Sequence, residues 1–162
     1  MNADEIRTLF DYSDWASQRI LRATLLVTPE QFNAPNTAGH DSLRGTLFHM
    51  LTAQITWRTR LERVAPPAEL PCTTPAELKE AWVAEEARLR AYLQTLSDSD
   101  LPAPVSYKNS KGLPFEEPLW QILMHLLNHG TQHRAEAAAM LTDFSLSPGD
   151  IDMILYFREK AL

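Results

Sequence analysis

Apolar residues recur along this chain at intervals of three and four, in stretches too long for strands and separated by proline-rich or polar breaks. The first stretch covers about Ala3 to Val27, with Ile6, Leu9, Phe10, Ala16, Ile20, Ala23 and Val27 on one face and Asn2 as its cap. Thr28-Pro29-Glu30-Gln31 then reads as a restart of one short turn, with proline at the first helical position. The second helix is expected over about Leu43 to Val64, capped by Asp41 or Ser42 and closed by Pro66-Pro67. The third is expected over about Pro75 to Leu96, opened by the capping box Thr74-Pro75-Ala76-Glu77. In it Leu78, Trp82, Leu89, Tyr92 and Leu96 keep helical phase, and Glu85 and Glu86 interrupt the apolar stripe.

Residues 98 to 117 break the pattern. Val105-Ser106-Tyr107 and Leu113-Pro114-Phe115 flank a turn-like Asn109-Ser110-Lys111-Gly112, a small hairpin whose second arm Pro114 weakens. A fourth long helix follows over about Pro118 to Thr142. A short fifth is expected over about Pro148 to Lys160, with Ser147 as cap and Asp150 in its first turn. Four helices of roughly 20–25 residues, each about 30–38 Å long, predict an all-α chain: a four-helix bundle with a short additional C-terminal helix.

The length of 162 residues fits one domain, taken here as 1–162. No apolar run reaches the roughly 18–20 residues that cross a bilayer, and the acidic start Met1-Asn2-Ala3-Asp4-Glu5 lacks the features of a signal peptide, so a cytoplasmic protein without a membrane partner is expected. The net charge of −6, with Lys and Arg scattered, argues against nucleic acid as a partner. The single cysteine, Cys72, excludes an intrachain disulfide and a thiolate metal cluster, and reads as an unreactive loop thiol.

The candidate chemistry lies in the histidines. His125, His129 and His133 follow one another at four-residue spacing, so they share a stripe on one helix, with neighbouring Cβ atoms roughly 6 Å apart. Two imidazoles so placed can converge on one cation, as in the helical zinc motif His-Glu-x-x-His. Here the segment reads His129-Gly130-Thr131-Gln132-His133, without the glutamate that serves as general base in metalloproteases. His49, inside the apolar run Leu47-Phe48-His49-Met50-Leu51, faces a core or a lined pocket and needs partners for both ring nitrogens. A shared metal would supply one partner to each of three histidines. On spacing alone, that reading stands level with ordinary core histidines. Trp57 is read as core or as a pocket wall, Gly130 as a point of close packing, and Arg60 and Arg134 as substrate-facing or surface cations. His40, just before the second helix, is read as a surface residue.

Several segments resemble the DinB/YfiT-like metalloenzyme family. Tyr12-Ser13-Asp14-Trp15-Ala16 is similar to its opening helix, and Asp41 through His49 to its second-helix segment. Leu127-Asn128-His129-Gly130-Thr131-Gln132-His133-Arg134 closely resembles its Asn-His-Gly-x-x-His-Arg stretch, and Asp152-Met153-Ile154-Leu155-Tyr156 its last helix. The resemblance implies an up-down-down-up four-helix bundle, commonly a homodimer, holding one divalent metal ion, with zinc or nickel foremost. The implied ligands are His49, His129 and His133. His125 would be a supporting hydrogen-bond partner of a ligand, a proton carrier or a fourth ligand, the first being preferred.

Three protein ligands leave a coordination position open, the arrangement of catalytic sites. The resemblance implies use of a low-molecular-weight thiol cosubstrate, activated by the metal for S-transfer to a small electrophile in stress or detoxification. Two alternatives are a hydrolase working through metal-bound hydroxide and a non-enzymatic metal-binding stress protein. The hydrolase needs a nearby acid or base such as Glu136, Glu116 or Glu117, each read first as a solvated charge.

Overall fold

The computed structural model describes residues 1–161. Its elements are α1 (Ala3–Thr24), α2 (Pro29–Asn33), α3 (Leu43–Glu62), α4 (Pro75–Gln94), β1 (Pro104–Lys108), β2 (Pro114–Pro118), α5 (Leu119–Asp143) and α6 (Met153–Lys160). The helix starts follow the capping chemistry. Asn2, Thr28 and Thr74 each close a capping box with Glu5, Gln31 and Glu77, and Ser42 accepts from the Gly45 amide at 3.0 Å. The restart at Pro29 forms α2, whose Phe32 is fully buried.

The chain is mostly helical, with one correction to the all-α expectation. The 98–117 region holds a two-stranded antiparallel hairpin in which Tyr107 pairs with Phe115 and Lys108 with Pro114. Pro114 is tolerated because it sits at the end of an edge strand, where no ladder donor is required. Asn109 shapes the turn by accepting the amides of Lys111 and Leu113 on its Oδ1. The segment just before the hairpin also starts α5: the carbonyls of Ala103 and Leu101 accept the amides of Leu119 and Trp120, two of the orphan donors of the first helical turn.

A second correction concerns the last helix. It begins at Met153, not Pro148, with Asp152 as N-cap. Gly149 adopts φ +80, and Asp150 accepts the Asp152 amide, so the serine-proline pair opens a loop turn.

Helix α1 packs against α4 and α5, and α3 packs against the same two. One core gathers Ile20 and Leu21 of α1, Leu43, Leu47, Met50 and Leu51 of α3, Leu78 and Trp82 of α4, and Met140 and Leu141 of α5. A second gathers Ile6 and Phe10 with Leu89, Leu93, Leu119, Leu123, Leu126 and Leu127. Glu85 and Glu86, read as interruptions of the α4 stripe, in fact face inward. Glu85 is fully buried and takes a forked ion pair from buried Arg58 of α3, Nε to Oε1 at 2.6 Å and Nη2 to Oε2 at 2.8 Å, while Arg58 also binds Glu62. Cys72 is buried against the first core, where burial pushes its thiol up from the ordinary range. None of the described helices is long and apolar enough to cross a membrane.

Candidate metal centre

The facing surfaces of α3 and α5 bring His49, His129 and His133 together. The ring centroids of His49 and His129 are 5.0 Å apart, those of His49 and His133 4.9 Å, and those of His129 and His133 4.4 Å. The Nε2 atoms of His49 and His129 lie 3.0 Å apart. Two imidazoles bound to one tetrahedral ion at 2.0–2.1 Å would hold their nitrogens about 3.4 Å apart, so a shift of a few tenths of an ångström admits the ion.

Electrostatics favours the ligand form. Burial, reinforced by the neighbouring His133 and His49, lowers the His129 pKa to about 4. Burial and the nearby His40 and His133 lower that of His49. Both rings are therefore mostly neutral at neutral pH, and in the 3.0 Å contact between their Nε2 atoms one ring donates and the other accepts. At most one proton can lie between each pair of nitrogens, whereas a single cation satisfies all of them.

Nδ1 of His133 lies 2.6 Å from a carboxylate oxygen of Glu136. A carboxylate on Nδ1 fixes the tautomer that leaves Nε2 free to ligate and raises its basicity, the arrangement that metal-binding histidines favour. Glu136 is half-buried and engaged, not the solvated charge expected of it; the same engagement removes it as the free base that the hydroxide reading requires.

His40 also departs from its expected place. It is exposed, but its ring stacks on that of His49 at 3.6 Å and lies 5.1 Å from that of His133. Ligating atoms of His40, His49 and His133 all fall within 4.8 Å of one another. That group and the trio expected from the sequence share His49 and His133; His129 joins through its contact with His49. His125 stands one turn away, exposed, with its ring 5.8 Å from that of His129 and edge-on to Trp57 at 5.7 Å.

Trp57, Tyr107, Glu117, Gln121, Ile122 and His125 line a cleft of about 290 Å³ that includes His125 but none of His49, His129 and His133. Arg60 lies over the rings of both Trp57 and Tyr107. Trp57 is thus a wall, and Arg60 stays at the cleft. A wider depression of about 540 Å³ on the hairpin itself contains no histidine.

Arg134 is not a surface residue. It is 2% exposed, donates to Ser13 Oγ at 2.8 Å and Thr131 Oγ1 at 3.0 Å, and lies over the Tyr12 ring. Gly130 explains how it fits: a Cβ there would stand 3.0 Å from Arg134 Nη1. The glycine between the two α5 histidines makes room for the guanidinium that ties α5 to α1.

A helical protein with a cluster of histidines able to hold a divalent ion is the class that fold and site define. The DinB family model matches residues 1–160, and the chain belongs to the DinB family. It is 24% identical to Protein DinB of Bacillus subtilis (strain 168), over 94% of this chain and 96% of that protein. In fold it is similar to a conserved protein from Enterococcus faecalis, with a TM-score of 0.66 and 14% identity, covering 93% of this chain and 99% of that one.

Proposed function

We propose that this protein is a cytoplasmic metal-dependent enzyme that activates a low-molecular-weight thiol for S-transfer to a small electrophile, with His49, His129 and His133 as the ligands of a zinc or nickel ion. The observation that carries the reading is the 3.0 Å approach of the His49 and His129 Nε2 atoms beside a His133 whose Nδ1 is held by Glu136. Bound there, a divalent ion supplies a lowered pKa to a coordinated thiol at neutral pH. The chain's own residues orient that ion and shape the space next to it. Its one cysteine is buried with a raised pKa, so a thiolate nucleophile has to arrive from outside. The cleft of Trp57, Tyr107 and His125 offers aromatic walls to an electrophile, and Arg60 a positive charge. His125, exposed in the wall of this cleft, would move a proton between substrate and solvent.

The reading includes a single domain in up-down-down-up order. Its support is the core that joins the C-terminal ends of α1 and α5 to the N-terminal ends of α3 and α4. It also includes a homodimer, which sedimentation at micromolar concentration tests.

The functional test is metal analysis of untagged protein followed by conjugation of monochlorobimane with a panel of low-molecular-weight thiols. About one equivalent of metal and a metal-dependent rate with one thiol are expected. Metal binding without turnover on any thiol would overturn the transferase and leave a metal-binding stress protein. A metal-dependent rate on esters, amides or phosphates instead would favour the hydrolase.

A further inference from the structure

We infer that His40 is a fourth metal ligand, carried on a loop built to hold it against the three helical histidines. The inference rests on the metal site proposed above and extends it.

Three observations place His40 there. Its ligating atom lies within 4.8 Å of those of both His49 and His133. Its ring stacks on His49 at 3.6 Å although the residue is exposed and gains little from burial. The backbone around it is also fixed to the site. The His40 amide donates to Thr46 Oγ1 at 3.0 Å, the side chain of a fully buried residue of α3, and the His40 carbonyl accepts from Ser42 at 2.8 Å.

Two glycines make that approach possible. A Cβ at Gly45 would collide with the His40 carbonyl, so the glycine in the first turn of α3 lets the loop lie against the helix. Gly39 has φ +64, and a Cβ there would collide with Thr46 Oγ1 and stand 2.9 Å from Glu136 Oε2. The residue before His40 therefore rests on the carboxylate that orients His133. A loop pinned in this way on both sides of one imidazole holds that imidazole at the site.

The ligands then divide by element. His49, His129 and His133 stand on rigid helices, whereas His40 stands on an exposed loop and can be exchanged without disturbing the core. With no thiol bound, His40 would fill the coordination position that the three helical imidazoles leave open, and it would have to yield that position to the thiol proposed above.

Zinc binding by calorimetry and the number of coordinated imidazoles by X-ray absorption test this on the full chain, in wild type and in His40→Ala, His125→Ala and His129→Ala variants. The expected result is four imidazoles in wild type and in His125→Ala. His40→Ala should have three, with affinity at least about tenfold weaker and an unchanged far-ultraviolet circular dichroism spectrum. Gly45→Ala, which keeps the imidazole but displaces the loop, should match His40→Ala. Three imidazoles and equal affinity in wild type and His40→Ala would overturn the inference while leaving the three-histidine site intact. Loss of an imidazole in His125→Ala instead would assign the fourth position to His125 and overturn it equally. No zinc bound by wild type, or binding unchanged in His129→Ala, would overturn the proposed site itself.

Discussion

His133 and Glu136, three residues apart on α5, meet at 2.6 Å, so one turn of helix carries both an imidazole and the carboxylate that orients it. Glu136→Ala frees Nδ1 to compete as the ligating atom and removes the charge that raises the basicity of Nε2. Metal affinity should fall by about 10–100-fold with the fold intact, as calorimetric titration of the variant would show.

The Arg58–Glu85 pair holds α3 to α4 from inside. Glu85→Ala leaves a guanidinium buried with only Glu62 as carboxylate partner, and should cost about 3–5 kcal/mol in urea unfolding. Replacing both residues, as Arg58→Met with Glu85→Leu, should recover most of that loss, because the desolvation of both charges disappears with them.

Glu86 has its pKa raised to about 7, chiefly by burial and then by Asp14. The unfolded carboxyl ionises near its ordinary 4.5, so between these values the folded state binds more protons and stability falls as pH rises. Glu86→Gln should remove that slope and stabilise the protein above pH 7 by up to about 3 kcal/mol. His129, with its pKa lowered to about 4, acts in the opposite sense in metal-free protein: its contribution is full above pH 6.5 and is lost as pH falls through 4. Thermal melts of the metal-free Glu86→Gln variant should therefore show stability rising with pH over that window.

Gly130→Ala brings two effects into competition. Alanine improves helix propensity by about 1 kcal/mol, but its Cβ meets an Arg134 guanidinium already bound to Ser13 and Thr131. In a buried site with the arginine held at both ends, overpacking should dominate, giving a net loss of about 1 kcal/mol in thermal melting.

The long helices were legible because their signals are local. Thr74 and Glu77, or Ser42 ahead of Leu43, satisfy orphan amides within one turn, and the apolar period needs no distant partner. What escaped the sequence depends on separation. Glu85 broke the stripe only as long as Arg58, 27 residues earlier, was out of view. Arg134 read as a substrate-facing or surface cation because Ser13 lies 121 residues away. Ser147-Pro148 carried a helix-start signal, but Gly149 turns left-handed directly after it. The closeness of His129 to His133 was readable from their spacing, and the inward position of His49 from its apolar surroundings. His40 was not, because its place depends on a backbone path past Gly39 and Gly45; two glycines flanking a helix cap are the only trace of that path in the sequence.

The stripe of histidines on α5 has a directional consequence. His125 faces the cleft walled by Trp57 and by Tyr107 of the hairpin, whereas His133, a further two turns along, faces the loop of Gly39 and His40. The two surroundings are built from segments that share no residues. On the proposed function, drift in the hairpin would reshape the cleft without touching the histidines that would hold the ion, and drift in the 36–42 loop would alter the surroundings of those histidines while leaving the cleft as it is. If the proposed function holds, a lineage built on this scaffold could diversify substrate and metal along separate paths.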